Sequence, residues 1–207
     1  MKLNKVLALA LSGVMAVSML AGCSGNSGNG GQEGEQPPVA DNTIASVLND
    51  EQKDNEVKVN FTYSSSLEAA LQKTLGVVGN DADPDKVDVD GYLANVLGVD
   101  EDVTLSEFCG RKSNTHGGNE VGEQTAVIVY KDSNGKTAEG AVKDMYKSVL
   151  NKSNDMSELD DEWTSNNVKW SFSYTGEVAS VSVIEGTQTS TYVAVVITCN
   201  TTKALAD

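Results

Sequence analysis

Val168-Lys169-Trp170-Ser171-Phe172-Ser173-Tyr174-Thr175 is the stretch on which the fold turns. Apolar and polar residues alternate with a period of two, which puts every second side chain on the same face of a strand. Val168, Trp170, Phe172 and Tyr174 take the buried face. Lys169, Ser171, Ser173 and Thr175 take the wet one, as in an antiparallel sheet with one solvated side. Gly176-Glu177 then reads as a tight turn, residues 178–184 as a second strand, Gly186 as a further turn and residues 191–199 as a third strand. Residues 192–197 are almost wholly apolar, so the third strand is expected at the centre of its sheet. The C-terminal third is thus expected to be a three-stranded meander.

Upstream of the meander, Ala138, Ala141, Val142, Met145, Val149 and Leu150 recur at helical spacing, with Glu139, Lys143, Asp144 and Lys147 opposite. Ser133-Asn134-Gly135 is a turn signal, and residues 126–130 ahead of it form an apolar, β-branched strand. Val57, Val59, Phe61 and Tyr63 alternate with polar residues and give one more strand. Ser65 and Glu68 stand at capping-box spacing before Leu67, Ala70, Leu71 and Leu75, a helix that Gly76 or Gly79 ends. Residues 44–48 form a short helix or an extended lead-in. Residues 92–97 form a short helix with Leu93, Val96 and Leu97 inward, and Thr104 with Glu107 makes a second capping pattern before Phe108. Residues 81–90 read as an acidic loop and residues 110–122 as a polar surface loop. The expectation is an α+β domain: a mainly antiparallel sheet of about five strands with two main helices packed on it. The layout is similar to helix-on-sheet folds such as cystatin-like or NTF2-like domains, an analogy of architecture alone.

The chain begins Met1-Lys2-Leu3-Asn4-Lys5, followed by an apolar run over residues 6–20. That run is short for a transmembrane helix, which needs about 20 apolar residues, and has the layout of an export signal. It ends in Leu20-Ala21-Gly22-Cys23, which resembles the lipobox of bacterial lipoproteins. The resemblance implies that Leu20, Ala21 and Gly22 are recognised by the signal peptidase. It also implies that the Cys23 thiol carries diacylglycerol and acyl chains such as palmitate. Residues 1–22 would be removed as signal peptide. Residues 23–40 would form a lipidated, Gly/Ser-rich tether and residues 41–207 a single domain. Two acyl chains make a lasting anchor, at about 0.8 kcal/mol per buried methylene. The implied location is the outer face of the bacterial cytoplasmic membrane.

The chain carries 15 basic and 30 acidic residues. Loss of Lys2 and Lys5 with the signal leaves a net charge of −17. Such a surface repels nucleic acid and anionic headgroups, so no nucleic-acid partner is expected and membrane attachment falls to the lipid.

Candidate chemistry is sparse. Cys109 and Cys199, the cysteines left beside Cys23, could join as a disulfide outside the cell or stand as two separate buried thiols. Cys109 with His116, the single histidine, has the composition of a thiol-protease pair, but no family signature surrounds either residue. Asp81, Asp83 and Asp85 are spaced like the first ligands of a calcium loop. Lys86 then stands where that loop needs glycine and Tyr92 where it needs an acid. A solvated loop whose acids favour the following helix N-terminus explains the cluster as well. Trp163 and Trp170 would suit a sugar platform, although the strand pattern places Trp170 in the core. No metal or cofactor beyond the lipid on Cys23 is expected, calcium being the one candidate. The leading expectation is a non-enzymatic surface module that binds an extracellular ligand or protein. The competing one is an extracytoplasmic hydrolase acting on wall or peptide substrates, which would show carboxylates of raised pKa in one cleft.

Overall fold

The computed structural model describes residues 42–80, 82–99, 103–108, 110–112, 121–152, 156–185 and 187–206. In chain order these form α1 (Asn42–Glu51), β1 (Asn60–Tyr63), α2 (Ser65–Val78), α3 (Val89–Leu97), β2 (Gly122–Asp132), α4 (Ala138–Met145), β3 (Glu162–Ser165), β4 (Val168–Glu185) and β5 (Gln188–Leu205). One 3₁₀ turn covers Leu105–Glu107 and another Met156–Glu158, and a π-helical turn, Tyr146–Leu150, extends α4. The architecture is α+β, with four helices on a mixed, mostly antiparallel sheet of five strands. The strand order is β1-β4-β5-β2, and β3 also pairs with β4. Only β1 runs parallel to its neighbour.

Alternation along the strands divides the core in two. Ala126 and Ile128 of β2, Val193, Val195 and Ile197 of β5, and Phe172, Tyr174 and Val178 of β4 pack with Ile44 and Leu48 of α1 and with Val142 and Met145 of α4. Val127, Val129, Ala179, Tyr192 and Ala194 point the other way, onto Leu67, Leu71 and Leu75 of α2 and Leu93 of α3. The helices therefore cover both faces, two on each, rather than one pair on one side. The second face is covered only in part. Beyond α2 and α3 it presents exposed Ser171, Ser173 and Thr175 of β4 beside Asn200 and Thr202 of β5.

The chain does close with three consecutive antiparallel strands, but with bounds the pattern misplaced. Gly176 is not a turn. It sits inside β4, which runs unbroken for 18 residues, and it pairs with Phe61 of β1 and Ile197 of β5. The true first strand of the meander is β3, joined to β4 through Asn166 and Asn167. Both have positive φ, 49° and 61°, the backbone of a two-residue turn whose twist suits a hairpin. Helix starts also shift, by one residue at α2 and by three at α3, which begins at Val89 rather than at residue 92. Ser64, not Ser65, caps α2, its Oγ accepting from Leu67 N–H at 3.2 Å, and Gly79 (φ 104°) ends it. Residues 42–51 are plainly helical.

The described start of the expected 110–122 loop is not surface. Gly110 and Arg111 are buried, and Arg111 bridges to Leu159. Tyr174 Oη lies 2.9 Å from the carbonyls of Gly110 and Asp160, tying that segment to the sheet. Residues 1–41, with the lipobox and the tether, lie outside the described residues, as do Asp81, Cys109, His116 and Gly186.

Candidate functional site

The strand order leaves β2 on an outer edge of the sheet, and along that edge runs a groove of about 900 Å³. Residues 126–131 form its floor. One wall is the acidic segment ahead of α3, with Asp83, Pro84, Asp85, Lys86, Asp88 and Asp90. The other is formed by Val103, Thr104 and Leu105 together with Ser148 and Val149 at the end of the π-helical turn.

Each wall is fixed by identifiable bonds. Tyr192, fully buried in β5, places its hydroxyl 2.8 Å from the Asn80 carbonyl and 2.7 Å from that of Ala82. This pins the approach to the acidic segment against the sheet. Asp83 Oδ1 accepts from the Asp85 N–H at 3.1 Å, and Lys86 Nζ donates to Asp83 Oδ2 at 2.7 Å. Asp88 caps α3 by accepting from Gly91 N–H at 2.9 Å. A β-carbon at position 91 would overlap that carboxylate, so a larger residue there would make the capping side chain shift. One turn on, Asp90 Oδ1 accepts from Val129 N–H at 3.0 Å and fastens α3 to the edge of β2. Opposite, Val103 N–H donates to the Thr125 carbonyl at 3.0 Å. The Thr104–Glu107 capping box then closes as the sequence pattern suggested, with Thr104 N–H donating to Glu107 Oε2 at 2.9 Å.

The titrating groups follow this geometry. The Lys86 ammonium, with the Asp85 N–H second, holds the Asp83 carboxyl below its ordinary value, and Asp83 in turn raises Lys86. The Thr104 backbone N–H and then its hydroxyl lower Glu107. Burial, and after it the Asp132 charge, raises the Tyr130 phenol. A general acid needs a carboxyl held up near neutrality. The Lys86 ammonium and the Asp85 N–H move the Asp83 carboxyl the other way.

Of the residues singled out from the sequence, Asp83 and Asp85 stand on the acidic wall. Among the described residues no group of three or more His, Cys, Asp or Glu is placed to hold a metal ion. Cys199 is buried in β5, its Sγ 3.9 Å from Thr201 Oγ1. Trp163 and Trp170 lie directly across from each other on β3 and β4, ring centroids 4.6 Å apart, half-buried against the core rather than open as a platform. Sequence reasoning placed the acids of residues 81–90 near the following helix N-terminus, as Asp88 is, without singling out Asp88 or Asp90, and gave Tyr130 and Tyr192 no part in a site. The Asp88-x-x-Gly91 spacing was the one local signal of the cap. Among the described residues no helix is long and apolar enough to cross a membrane. The chain matches no family model, no curated protein and no solved structure.

Proposed function

We propose that this chain is a lipid-anchored extracytoplasmic binding module and that its ligand seats in the groove along β2. The anchor rests on the lipobox resemblance at Leu20-Ala21-Gly22-Cys23. The binding role rests on one observation: a groove of about 900 Å³ whose walls are held rigidly by buried tyrosine and carboxylate bonds. That volume lies within the range of pre-formed ligand sites, roughly 300–1,000 Å³. Carboxylates, ammoniums and hydroxyls surround a strand floor that carries Ala126, Val127, Ile128 and Val129 beside Tyr130 and Lys131, an arrangement that can orient a ligand by polar contacts. The hydrolase reading draws no support from the direction in which Asp83 is shifted.

A photo-crosslinking residue placed at Tyr130, inside the groove, tests this in the native host. A crosslinked extracytoplasmic species that is absent when the probe sits at Thr202, on the open sheet face, is the expected result. Equal labelling at both positions would defeat the groove assignment. Intact mass of the membrane-extracted chain reports the anchor separately, through loss of residues 1–22 and a lipid on Cys23.

A further inference from the structure

We propose that Asn134-Gly135, in the loop joining β2 to α4, is a self-modifying site: Asn134 converts through a cyclic imide into isoaspartate and aspartate while the protein stays folded. The side-chain carbonyl carbon of an asparagine and the backbone nitrogen of the next residue can close a five-membered ring, an intramolecular step that needs only proximity and room. Glycine in the second place gives the most room, having no β-carbon. The chain contains this pairing at one other place, Asn29-Gly30.

The fold leaves the reacting atoms open. Asn134 and Gly135 are both exposed and lie in neither helix nor strand. Among the described residues the Gly135 N–H, whose nitrogen is the nucleophile, donates no hydrogen bond. Gly135 has φ 71°, and no heavy atom lies within 4 Å of where a β-carbon on it would stand. The flanks, by contrast, are held. The Ser133 carbonyl accepts from Gln188 Nε2 at 3.4 Å, and the Lys136 carbonyl accepts from Thr191 Oγ1 at 3.1 Å. Rearrangement can therefore run between two fixed points without opening the sheet.

In the first step Gly135 N bonds to Asn134 Cγ, the Cγ–Nδ2 bond breaks, and the Gly135 proton departs with the amide nitrogen as ammonia. Water then opens the ring. Attack at the main-chain carbonyl of residue 134 breaks its bond to Gly135 N and leaves the chain running through Cγ, which is isoaspartate. Attack at Cγ gives aspartate. Either product carries a carboxylate where the amide stood. That amide nitrogen lies 3.4 Å from Oδ2 of Asp132, a buried carboxylate whose Oδ1 also accepts the Asn134 N–H at 3.0 Å. A donor is thus replaced by a second anion beside a buried one, and like charges at that distance drive the loop away from Asp132. Ser133 borders the groove, so the change is felt at its end.

The test holds the full-length, folded protein in warm, mildly alkaline buffer and follows it by peptide mapping, with an isoaspartate methyltransferase reporting the rearranged backbone. The expected result is that Asn134 is the first asparagine after residue 41 to gain one mass unit, with isoaspartate exceeding aspartate. Its rate should be unchanged by urea below the onset of unfolding. The Asn134→Gln variant, whose longer side chain would have to close a six-membered ring, should stay unmodified over the same time. The proposal is overturned if Asn134 remains an amide while Asn29 converts, or if another asparagine after residue 41 converts first. Aspartate forming without isoaspartate, or equal conversion of the Asn134→Gln variant, would rule out the ring. A rate that climbs with the unfolded fraction would assign the reaction to the unfolded chain and remove it from the folded one.

Discussion

Gly176 of β4 lies flat against the ring of Phe61 on β1, so close that a β-carbon on Gly176 would overlap the ring atoms Cδ1 and Cε1 and crowd Val59. The two residues are register partners in the one parallel pairing of the sheet. Gly176→Ala is therefore expected to destabilise the protein by about 1–3 kcal/mol, the usual cost of forcing an extra carbon into a packed site. Urea unfolding should show a lower midpoint at unchanged slope. Phe61→Leu in the same background should recover part of the loss, since the smaller side chain makes room. A neutral Gly176→Ala would show that β1 does not pack as described.

That contact explains why the strand pattern could be read and its bounds could not. Alternation from Val168 to Tyr174 identified the strand and its buried face, and both hold. The glycine after it resembles a turn because local sequence cannot reveal an aromatic ring arriving from more than 100 positions upstream. β3 was missed for the opposite reason. It is four residues long in an acidic stretch, and its turn uses Asn166-Asn167 rather than a glycine. Three of the four helices follow from their apolar spacing, while residues 44–48 leave helix and extended lead-in both open; which sheet face each helix covers depends on strand order, which no local period encodes. The groove was least legible. Asp83 and Asp85 drew attention as metal ligands, whereas their setting depends on Tyr192, some 110 residues away in sequence.

Tyr192→Phe isolates that dependence. The ring volume is kept and only the hydroxyl that reaches Asn80 and Ala82 is removed. The expected global cost is about 0.5–1.5 kcal/mol, typical of one buried hydrogen bond. The more telling readout is local. Amides from 82 to 91 should exchange faster than in the parent, while those of α4 stay unchanged. Uniform acceleration across both segments would mean that the hydroxyl supports the whole core and not this wall.

Acid should undo the groove from its two rims in different ways. The Asp83 and Glu107 carboxyls are both held below their ordinary values in the folded protein. A lowered carboxyl stabilises the fold at pH values above its unfolded value. That contribution fades as pH falls through the unfolded and then the folded value. Both contributions are therefore complete at neutral pH and disappear below about pH 4. Asp83 owes its shift first to Lys86, so raising the salt from 0.05 to 1 M should move its midpoint upward. Glu107 owes its shift to the Thr104 N–H and hydroxyl and should move much less. Carboxyl carbon chemical shifts followed against pH at the two salt concentrations check both statements; equal salt sensitivity would contradict this division of causes.

Asp90 bears on stability and on solubility at once. Its carboxylate receives Val129 N–H from the outer edge of β2, a bond that ties α3 to the sheet and covers one donor of that edge. Asp90→Ala leaves that donor without its acceptor, so a loss of about 1.5–3 kcal/mol is expected, as for hydrogen bonds to charged groups. The Val129 amide should become one of the fastest-exchanging sites in β2. With the edge uncovered, concentrated samples should also self-associate, seen as a concentration-dependent rise in sedimentation coefficient. Asp90→Asn retains a carbonyl acceptor at the same reach and should restore most of the stability and the monodispersity. If Asn behaves like Ala, the charge itself rather than the bond to β2 is what α3 requires. If Ala behaves like the parent, α3 is held by its apolar contacts through Leu93 and the edge is guarded by other means.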